Sequence, residues 1–399
     1  MIKIAVLGYG TVGSGVVEVF EKNSDVIAKN AGQEIEIKYV LDLRDFPGMP
    51  VEKILVHDYE TIVNDPEVDI VVEVMGGLHP AYEYVKAALE KGKNVCTSNK
   101  ALVAAYGPQL IALAKEKNIN FMFEASVGGG IPIIRTILRS ITVDNVLEIT
   151  GILNGTTNYI LTKMYNEGVG YEETLKEAQS LGYAEADPTA DVDGFDAARK
   201  IAILTSLVYG RHVDFESFNI EGIRNISIED IMYAKAKEMK IKLLGNTKKI
   251  NDKVYTQVAP FMIPKEHILY GIDDVTNGIA INGDLLGDTM FLGAGAGKLP
   301  TASAVVSDIV DEVKHLNRNI PINWDDTPLK TENHEDIEST FFIRVDKDYE
   351  LKELIDVKEV LALEELPNEK GIFTGPMTFK ELEDKGLDKS KIRSILQVK

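Results

Sequence analysis

The sequence predicts an α/β chain in which a doubly wound, parallel-stranded domain is followed by an α+β domain and a small C-terminal module. Three observations carry this. Ile2–Leu7 (IKIAVL) is a short continuous apolar run, the pattern of a parallel strand buried on both faces. It leads into Gly8-Tyr9-Gly10-Thr11-Val12-Gly13, a G-x-G-x-x-G, and then into a helical pattern through Val16, Val19 and Phe20. Apolar runs and helical patterns alternate as far as Phe123; beyond Ile131 helices are followed by strands joined through tight turns.

The glycines suit a backbone that turns tightly and lets a pyrophosphate approach a helix N-terminus. With a strand before them and a helix after, they predict a Rossmann-type dinucleotide-binding domain over residues 1–130, completed by a helix at 300–320. A merely tight turn is the plainer alternative. The second strand, Ile35–Leu41, ends at Asp42, with Arg44 two residues on. An acid there takes the adenosine ribose hydroxyls of NAD and an arginine the phosphate of NADP, so the choice stays open. Asp69–Val74 is read as a third strand ending in Gly76-Gly77, Pro80–Lys91 as a helix and Asn94–Thr97 as the next strand. Open α/β sheets bind ligands at the carboxyl ends of their strands, which places Lys100 well for a cofactor or substrate; a solvated helix-start lysine is the bland reading. Pro108–Lys117 is read as a helix and Ile119–Phe123 as the closing strand. Glu124–Gly130 (EASVGGG) then suits a hinge, a phosphate nest or a hard-cation site, with close packing as the competitor.

At 399 residues the chain is long enough for two or three domains with cores of their own. A net charge of −20 argues against nucleic acid and anionic membranes as partners. It does not exclude an anionic cofactor, because local N–H donors hold a phosphate despite the global field. Cys96 is the single cysteine, which rules out an intrachain disulfide and fits a reducing cytoplasm. It lies within a strand and is read as core. No long apolar run and no basic-then-apolar leader is seen, so a soluble cytoplasmic protein is expected.

The second domain, residues 131–299, is expected to carry the substrate and catalytic groups and to mediate dimerisation. Its helices are placed at Ile131–Ser140, Thr156–Glu167, Tyr171–Ser180, Phe195–Gly210 and Ile228–Met239. Its strands are placed at Lys240–Asn251, Lys253–Pro260 and Asn277–Asn282. One face of that sheet suits a dimer interface, and burial under the helices fits equally well. Gly293–Lys298 resembles a phosphate-binding turn, but Leu299 stands where a P-loop needs a hydroxyl, which disfavours an ATPase. A polar, acidic linker, Asp325–Glu338, precedes a module over 339–399 read as strand (TFFIRV), helix (LKELID), strand (VLALEEL) and a final helix.

Ala178–Lys200 (AQSLGYAEADPTADVDGFDAARK) concentrates carboxylates just before an apolar helix. Gly182 is a helix stop signal, Pro188 is expected to hold the next residues out of helical geometry, and Asp193 to cap the helix. Asp196 and Lys200, four apart, share a face. A surface ion pair is the bland reading; a lysine at the mouth of a buried helix, aimed at a small polar substrate, is the functional one.

These stretches together resemble the homoserine dehydrogenase family. Its signature is matched by Ala178, Gly182-Tyr183, Asp187-Pro188, Asp191-Val192, Gly194, Asp196 and Lys200. Thr97–Val103 (TSNKALV), Glu124–Pro132 (EASVGGGIP), Asn154–Tyr159 (NGTTNY) and Gly293–Asp308 resemble further family blocks. The resemblance implies NAD(P)-dependent interconversion of L-aspartate 4-semialdehyde and L-homoserine in the threonine, methionine and isoleucine pathway, by a homodimer. It implies Lys200 as proton donor, Asp196 and Glu185 as substrate ligands, and Lys100 beside nicotinamide and substrate. Gly8, Gly10, Thr11, Val12, Gly13, Asp42, Arg44, Gly76, Gly182, Gly295 and Gly297 would serve the cofactor. Glu124, Val127, Gly129 and Ile131 match the family's monovalent-cation site, for sodium or potassium. The C-terminus departs from the pattern. The Pro-Gly turn of a regulatory ACT domain is replaced by Asp346-Lys347-Asp348-Tyr349, so 339–399 is read as a degenerate ACT-like module without threonine feedback. Two rivals remain. A phosphorylating semialdehyde dehydrogenase needs a thiolate that only Cys96 offers, and a non-catalytic nucleotide sensor has no need of Lys200 and Glu185.

Overall fold

Alternation of apolar strands and helices produces a six-stranded parallel sheet in the computed structural model, which describes residues 1–351 and 353–399. Numbered along the sequence, its strands Ile2–Leu7, Ile35–Leu41, Leu55–Val56, Ile70–Glu73, Asn94–Thr97 and Phe121–Met122 lie in the order 3-2-1-4-5-6. That is the dinucleotide-binding order, with its switch point beside the first strand. The sheet belongs to the first of two compact units, made of Met1–Val143, Ala202–Asp214 and Gly293–Leu329. Ile4, Val6, Ile70 and Val72 are fully buried and share a core with Val16 and Phe20 of the helix Thr11–Ala31. The same core takes Ala302, Val305 and Ile309 from the helix Lys298–Lys314, the late element expected at 300–320. A Cβ on Gly15 would lie 2.7 Å from the Lys298 carbonyl oxygen, so glycine lets these two helices meet closely.

One expected boundary in this unit shifts. The helix predicted at Pro108 already starts at Lys100 and runs to Glu116 with Pro108 inside it. Gly107 packs so closely on the Trp324 ring that a Cβ would come within 2.8 Å of it. Both Gly107 and Pro108 are buried, and this packing offsets the helical bond that proline cannot make.

The second unit comprises Asp144–Ile201, Phe215–Leu292 and Lys330–Lys399. Its eleven-stranded sheet runs, in spatial order, Gly287–Ala294, Thr276–Gly283, Val146–Ile152, Lys240–Ile250, Lys253–Ile263, Ile392–Val398, Glu338–Asp346, Glu369–Thr374 and Val357–Leu361, with short strands paired alongside. Val146–Ile152 is an interior strand, and sequence reading missed it because Glu148, Thr150 and Gly151 interrupt its apolar pattern.

The last four strands follow the ferredoxin-like order, last-first-third-second. The helix expected from LKELID is not formed by residues 353–356, which make a turn and bend, while Lys352 lies outside the described residues. The expected final helix is instead a short helix, Phe379–Asp384, and the strand Ile392–Val398. That strand pairs in parallel with Lys253–Ile263 through Phe261–Gln397 and Met262–Val398, extending one sheet into the module. Arg344 reinforces the joint, donating to Asp230 at 2.9 Å and to Glu369 at 3.2 Å in a buried ion network. No described helix is long and apolar enough to cross a membrane.

Candidate active site

The helix Phe195–Tyr209 carries Asp196 and Lys200 one turn apart, and both side chains are under a tenth exposed. Lys200 Nζ donates to Asp196 Oδ2 at 2.6 Å and to the Leu153 carbonyl at 2.7 Å. This is no surface pair: the ammonium is held at a fixed point inside the unit. Asn154, N-cap of the helix Gly155–Glu167, joins the cluster. Its Oδ1 accepts from the Thr157 amide, while its Nδ2 donates to Asp191 at 2.7 Å and to Asp196 at 2.9 Å. A single carboxamide therefore ties a helix start to two carboxylates and, through Asp196, to Lys200. Sequence reading left Asn154 without a role; its signal was an Asn directly before a helix start.

Two local expectations are corrected. Pro188 does not exclude helix; it stands at the N-cap of a single turn, Thr189–Val192, where a missing N–H costs nothing. Asp193 does not cap the following helix, since its carboxylate receives Arg224. Gly194, at φ +87°, makes the turn, and its carbonyl accepts from the Ala198 amide. Gly182, at φ +76°, and Glu185 stand on the exposed turn after the helix Tyr171–Ser180. Thr156 anchors that turn by donating to the Tyr183 carbonyl at 2.7 Å.

In the first unit, Gly10 is N-cap of the helix Thr11–Ala31, with no side chain occupying the first amides. Gly8 has φ +97°, and a Cβ on Gly13 would fall 1.9 Å from the Gly8 carbonyl oxygen. Thr11 and Val12 open the helix. An N-terminus left open by small residues is the donor set a pyrophosphate requires, so the residues present fit a dinucleotide. At the end of the second strand, Asp42 accepts from the Tyr9 amide at 2.8 Å and from the Arg44 guanidinium through two bonds of 2.9 Å. The Arg44 hydrogen bonds hold the Asp42 carboxyl well below the usual carboxylate range, and Asp42 raises Arg44 in turn. The guanidinium lies over Phe46 at 5.2 Å and stays mostly exposed.

Glu73, fully buried at the end of its strand, links the next two loops. It accepts from the Met75 and Gly76 amides and, at 2.6 Å, from Thr97. Asn99 then donates to the Gly77 carbonyl and caps the helix that begins with Lys100. Burial raises the Glu73 carboxyl above its ordinary value. The sequence signal was an acid closing an otherwise apolar strand. Cys96 is fully buried, and burial pushes its thiol well up, which removes the thiolate that a phosphorylating dehydrogenase needs.

The Glu124–Ile131 segment is buried apart from Gly130. The Glu124 carboxylate accepts from the Ile134 and Arg135 amides, so its side chain caps the helix Ile133–Arg139. Its carbonyl accepts from Val127, and that of Ile131 from Ile133, each oxygen keeping a second lone pair. A Cβ on Gly129 would sit 2.5 Å from Gly295, which brings this loop against the Gly293–Gly297 turn. Gly297, at φ +115°, caps the helix Lys298–Lys314.

An open glycine turn on a 3-2-1-4-5-6 sheet defines a dinucleotide-binding protein, and the second unit holds a buried lysine–carboxylate cluster. Comparison with known proteins makes this specific. Residues 8–124 match the family model for the NAD-binding domain of homoserine dehydrogenase, and residues 132–310 the model for homoserine dehydrogenase itself. A homoserine dehydrogenase of Bacillus subtilis is 43% identical over 325 residues, covering 81% of this chain and 75% of that one. The crystal structure of a homoserine dehydrogenase from Thiobacillus denitrificans superposes with a TM-score of 0.91 at 34% identity, covering 100% of this chain and 98% of the other. A hyperthermophilic archaeal homoserine dehydrogenase in complex with NADPH gives 0.68 at 29% identity, over 81% and 99% of the two chains. The chain belongs to the homoserine dehydrogenase family.

Proposed function

We propose that the protein interconverts L-aspartate 4-semialdehyde and L-homoserine with Lys200 as the proton donor. The observation that carries this is the buried Lys200 ammonium held between Asp196 and the Leu153 carbonyl. A bound nicotinamide supplies the hydride that adds to the aldehyde carbon. Lys200 stabilises the oxyanion that forms and delivers the proton that makes it a hydroxyl; in reverse it accepts that proton. Asp196 holds Lys200 in place. Asp196 and Glu185 take the substrate's ammonium and hydroxyl region, and Lys100, at a strand's carboxyl end, serves the nicotinamide and substrate.

The cofactor lies with its pyrophosphate over Gly8–Gly13, aided by Gly76, Gly182, Gly295 and Gly297. Its adenosine end favours NADP. Both Asp42 oxygens already accept from Arg44, while the guanidinium itself stays mostly exposed and gives a phosphate a planar cation. The carbonyls of Glu124, Val127, Gly129 and Ile131 hold a monovalent cation, and the working form is a cytoplasmic homodimer. Residues 1–130 with 300–320 form the cofactor domain, 131–299 the substrate and dimerisation domain, and 339–399 the ACT-like module.

The test is NADPH and NADH oxidation on addition of aspartate semialdehyde, in sodium, potassium or choline buffer and without phosphate. Turnover is expected to be lost in Lys200→Ala while NADPH binding survives. Near-normal turnover in that variant overturns the assignment of Lys200. Sedimentation of the full chain checks the dimer.

A further inference from the structure

The turn that carries Glu185 is tied down at both ends by other groups and in its middle by one side chain. At its near end the helix Tyr171–Ser180 closes through backbone bonds. The amides of Leu181, Gly182 and Tyr183 donate to the carbonyls of Glu177, Gln179 and Ala178, and the Ala184 amide also reaches Ala178. Gly182, at φ +76°, turns the chain out of the helix. Thr156 holds the Tyr183 carbonyl at 2.7 Å. At the far end the Asp187 carboxylate accepts from the Thr189 amide at 3.1 Å. Between these ends lie Glu185 and Ala186, both exposed. Among the described residues, no backbone amide donates to the carbonyl of either.

Gln179, half-buried in the last turn of the helix, supplies the missing donor. Its Nε2 donates to the Glu185 carbonyl at 3.0 Å and to the Ala186 carbonyl at 3.4 Å. The chemistry of the side chain matters here. Alanine offers no donor, and glutamate sets an acceptor-only group against two carbonyl oxygens. An exposed stretch without such a bond must be ordered when a ligand binds, and that entropy is subtracted from the affinity.

We propose that Gln179 is a substrate-positioning residue that acts through Glu185, fixing the backbone of the turn so that the Glu185 carboxylate is in place before the substrate arrives. The proposal rests on the reading given above, in which Glu185 takes the substrate. Gln179 touches neither substrate nor cofactor in this account. Its effect therefore falls on the KM for L-homoserine and disappears once the Glu185 carboxylate is gone.

The experiment measures L-homoserine oxidation, NADPH affinity and thermal melting for Gln179→Ala, Gln179→Glu, Glu185→Gln and the double variant Gln179→Ala/Glu185→Gln. Gln179→Ala is expected to raise the KM for L-homoserine about fivefold, the scale of one neutral hydrogen bond, with kcat within about twofold. Gln179→Glu raises it further, and NADPH affinity is unchanged in both. Glu185→Gln alone raises the KM about tenfold or more, as for a lost bond to a charged group. The double variant keeps the KM of Glu185→Gln. A glutamine that merely stabilises the helix end predicts otherwise: lower melting temperatures with an unchanged KM, or losses that multiply in the double variant. Either result overturns the proposal. Should Gln179→Ala fail to fold, Gln179→Glu, which keeps the length of the side chain, takes its place in the cycle. Glu185→Gln separates the two claims. If its KM is normal, the reading of Glu185 as a substrate ligand fails and the proposal falls with it. If its KM rises while both Gln179 variants bind L-homoserine normally, only this proposal fails.

Discussion

Asp196 Oδ2 and Lys200 Nζ lie 2.6 Å apart on adjacent turns of one helix, with both side chains under a tenth exposed. An ion pair at this depth is screened little by solvent, so the position of each partner depends on the charge of the other. Asp196→Asn preserves shape and removes the charge. We expect kcat to fall on the order of 10²-fold, since the proposed proton donor loses the charge that holds it. Stability should drop by about 3 kcal/mol, as for a buried pair broken on one side. Thermal melts and steady-state assays check both, with NADPH affinity unchanged.

The glycine turn supports a prediction that does not involve the substrate. A Cβ on Gly13 would sit 1.9 Å from the Gly8 carbonyl oxygen, so Gly13→Ala must open the turn or move the helix Thr11–Ala31. Overpacking of this kind costs about 1–3 kcal/mol. NADPH binding followed by fluorescence should weaken markedly, while the Asp196–Lys200 cluster stays intact. Unchanged binding would show that the turn does not hold the pyrophosphate.

Much of this was legible in the sequence, and the reasons differ by element. The six-stranded sheet was readable because parallel strands buried on both faces must be continuously apolar, as in IKIAVL and IVVE. Val146–Ile152 was not, because it carries Glu148 and Thr150 into a polar network that only its partner strands reveal. The Asp196–Lys200 pair was readable because its spacing is local. The contacts of Asn154 and Glu73 were not, because they are made across the fold. Asp193 was misread as a cap because no local rule foresees Arg224 reaching it across 31 residues.

On the proposed reading, Arg44 decides the adenosine end. Its guanidinium is held by Asp42 and stacked over Phe46. Arg44→Ala is expected to raise the KM for NADPH by about tenfold or more, the scale of one lost charge-assisted contact. It should leave NADH unaffected or improved, because Asp42 is then released to accept from ribose hydroxyls. The NADPH-to-NADH ratio of kcat/KM is the measurement; an unchanged ratio removes Arg44 from the cofactor site.

Glu148 gives the second unit a pH-dependent contribution to stability. It accepts from Asn246 at 2.8 Å and is paired with Lys399, which also donates to Thr150 at 3.2 Å. Burial alone would raise its carboxyl, but the charge and hydrogen bond of Lys399 outweigh this and bring it from 4.5 down to about 2. Across that window the folded chain binds fewer protons than the unfolded one, so stability rises with pH. The contribution is complete above about pH 4.5 and is lost as pH falls through about 2, with an upper bound of about 3 kcal/mol. Lys399 is itself pulled down by burial despite Glu148, so the pair's net worth is smaller than the carboxylate shift alone implies. Glu148→Gln should therefore lower stability near neutral pH by about 1–3 kcal/mol and flatten its decline between about pH 4.5 and 2. Urea unfolding of both proteins at a series of pH values measures the difference. Parallel pH curves for variant and wild type would show that the Glu148 carboxylate is not what acid disrupts.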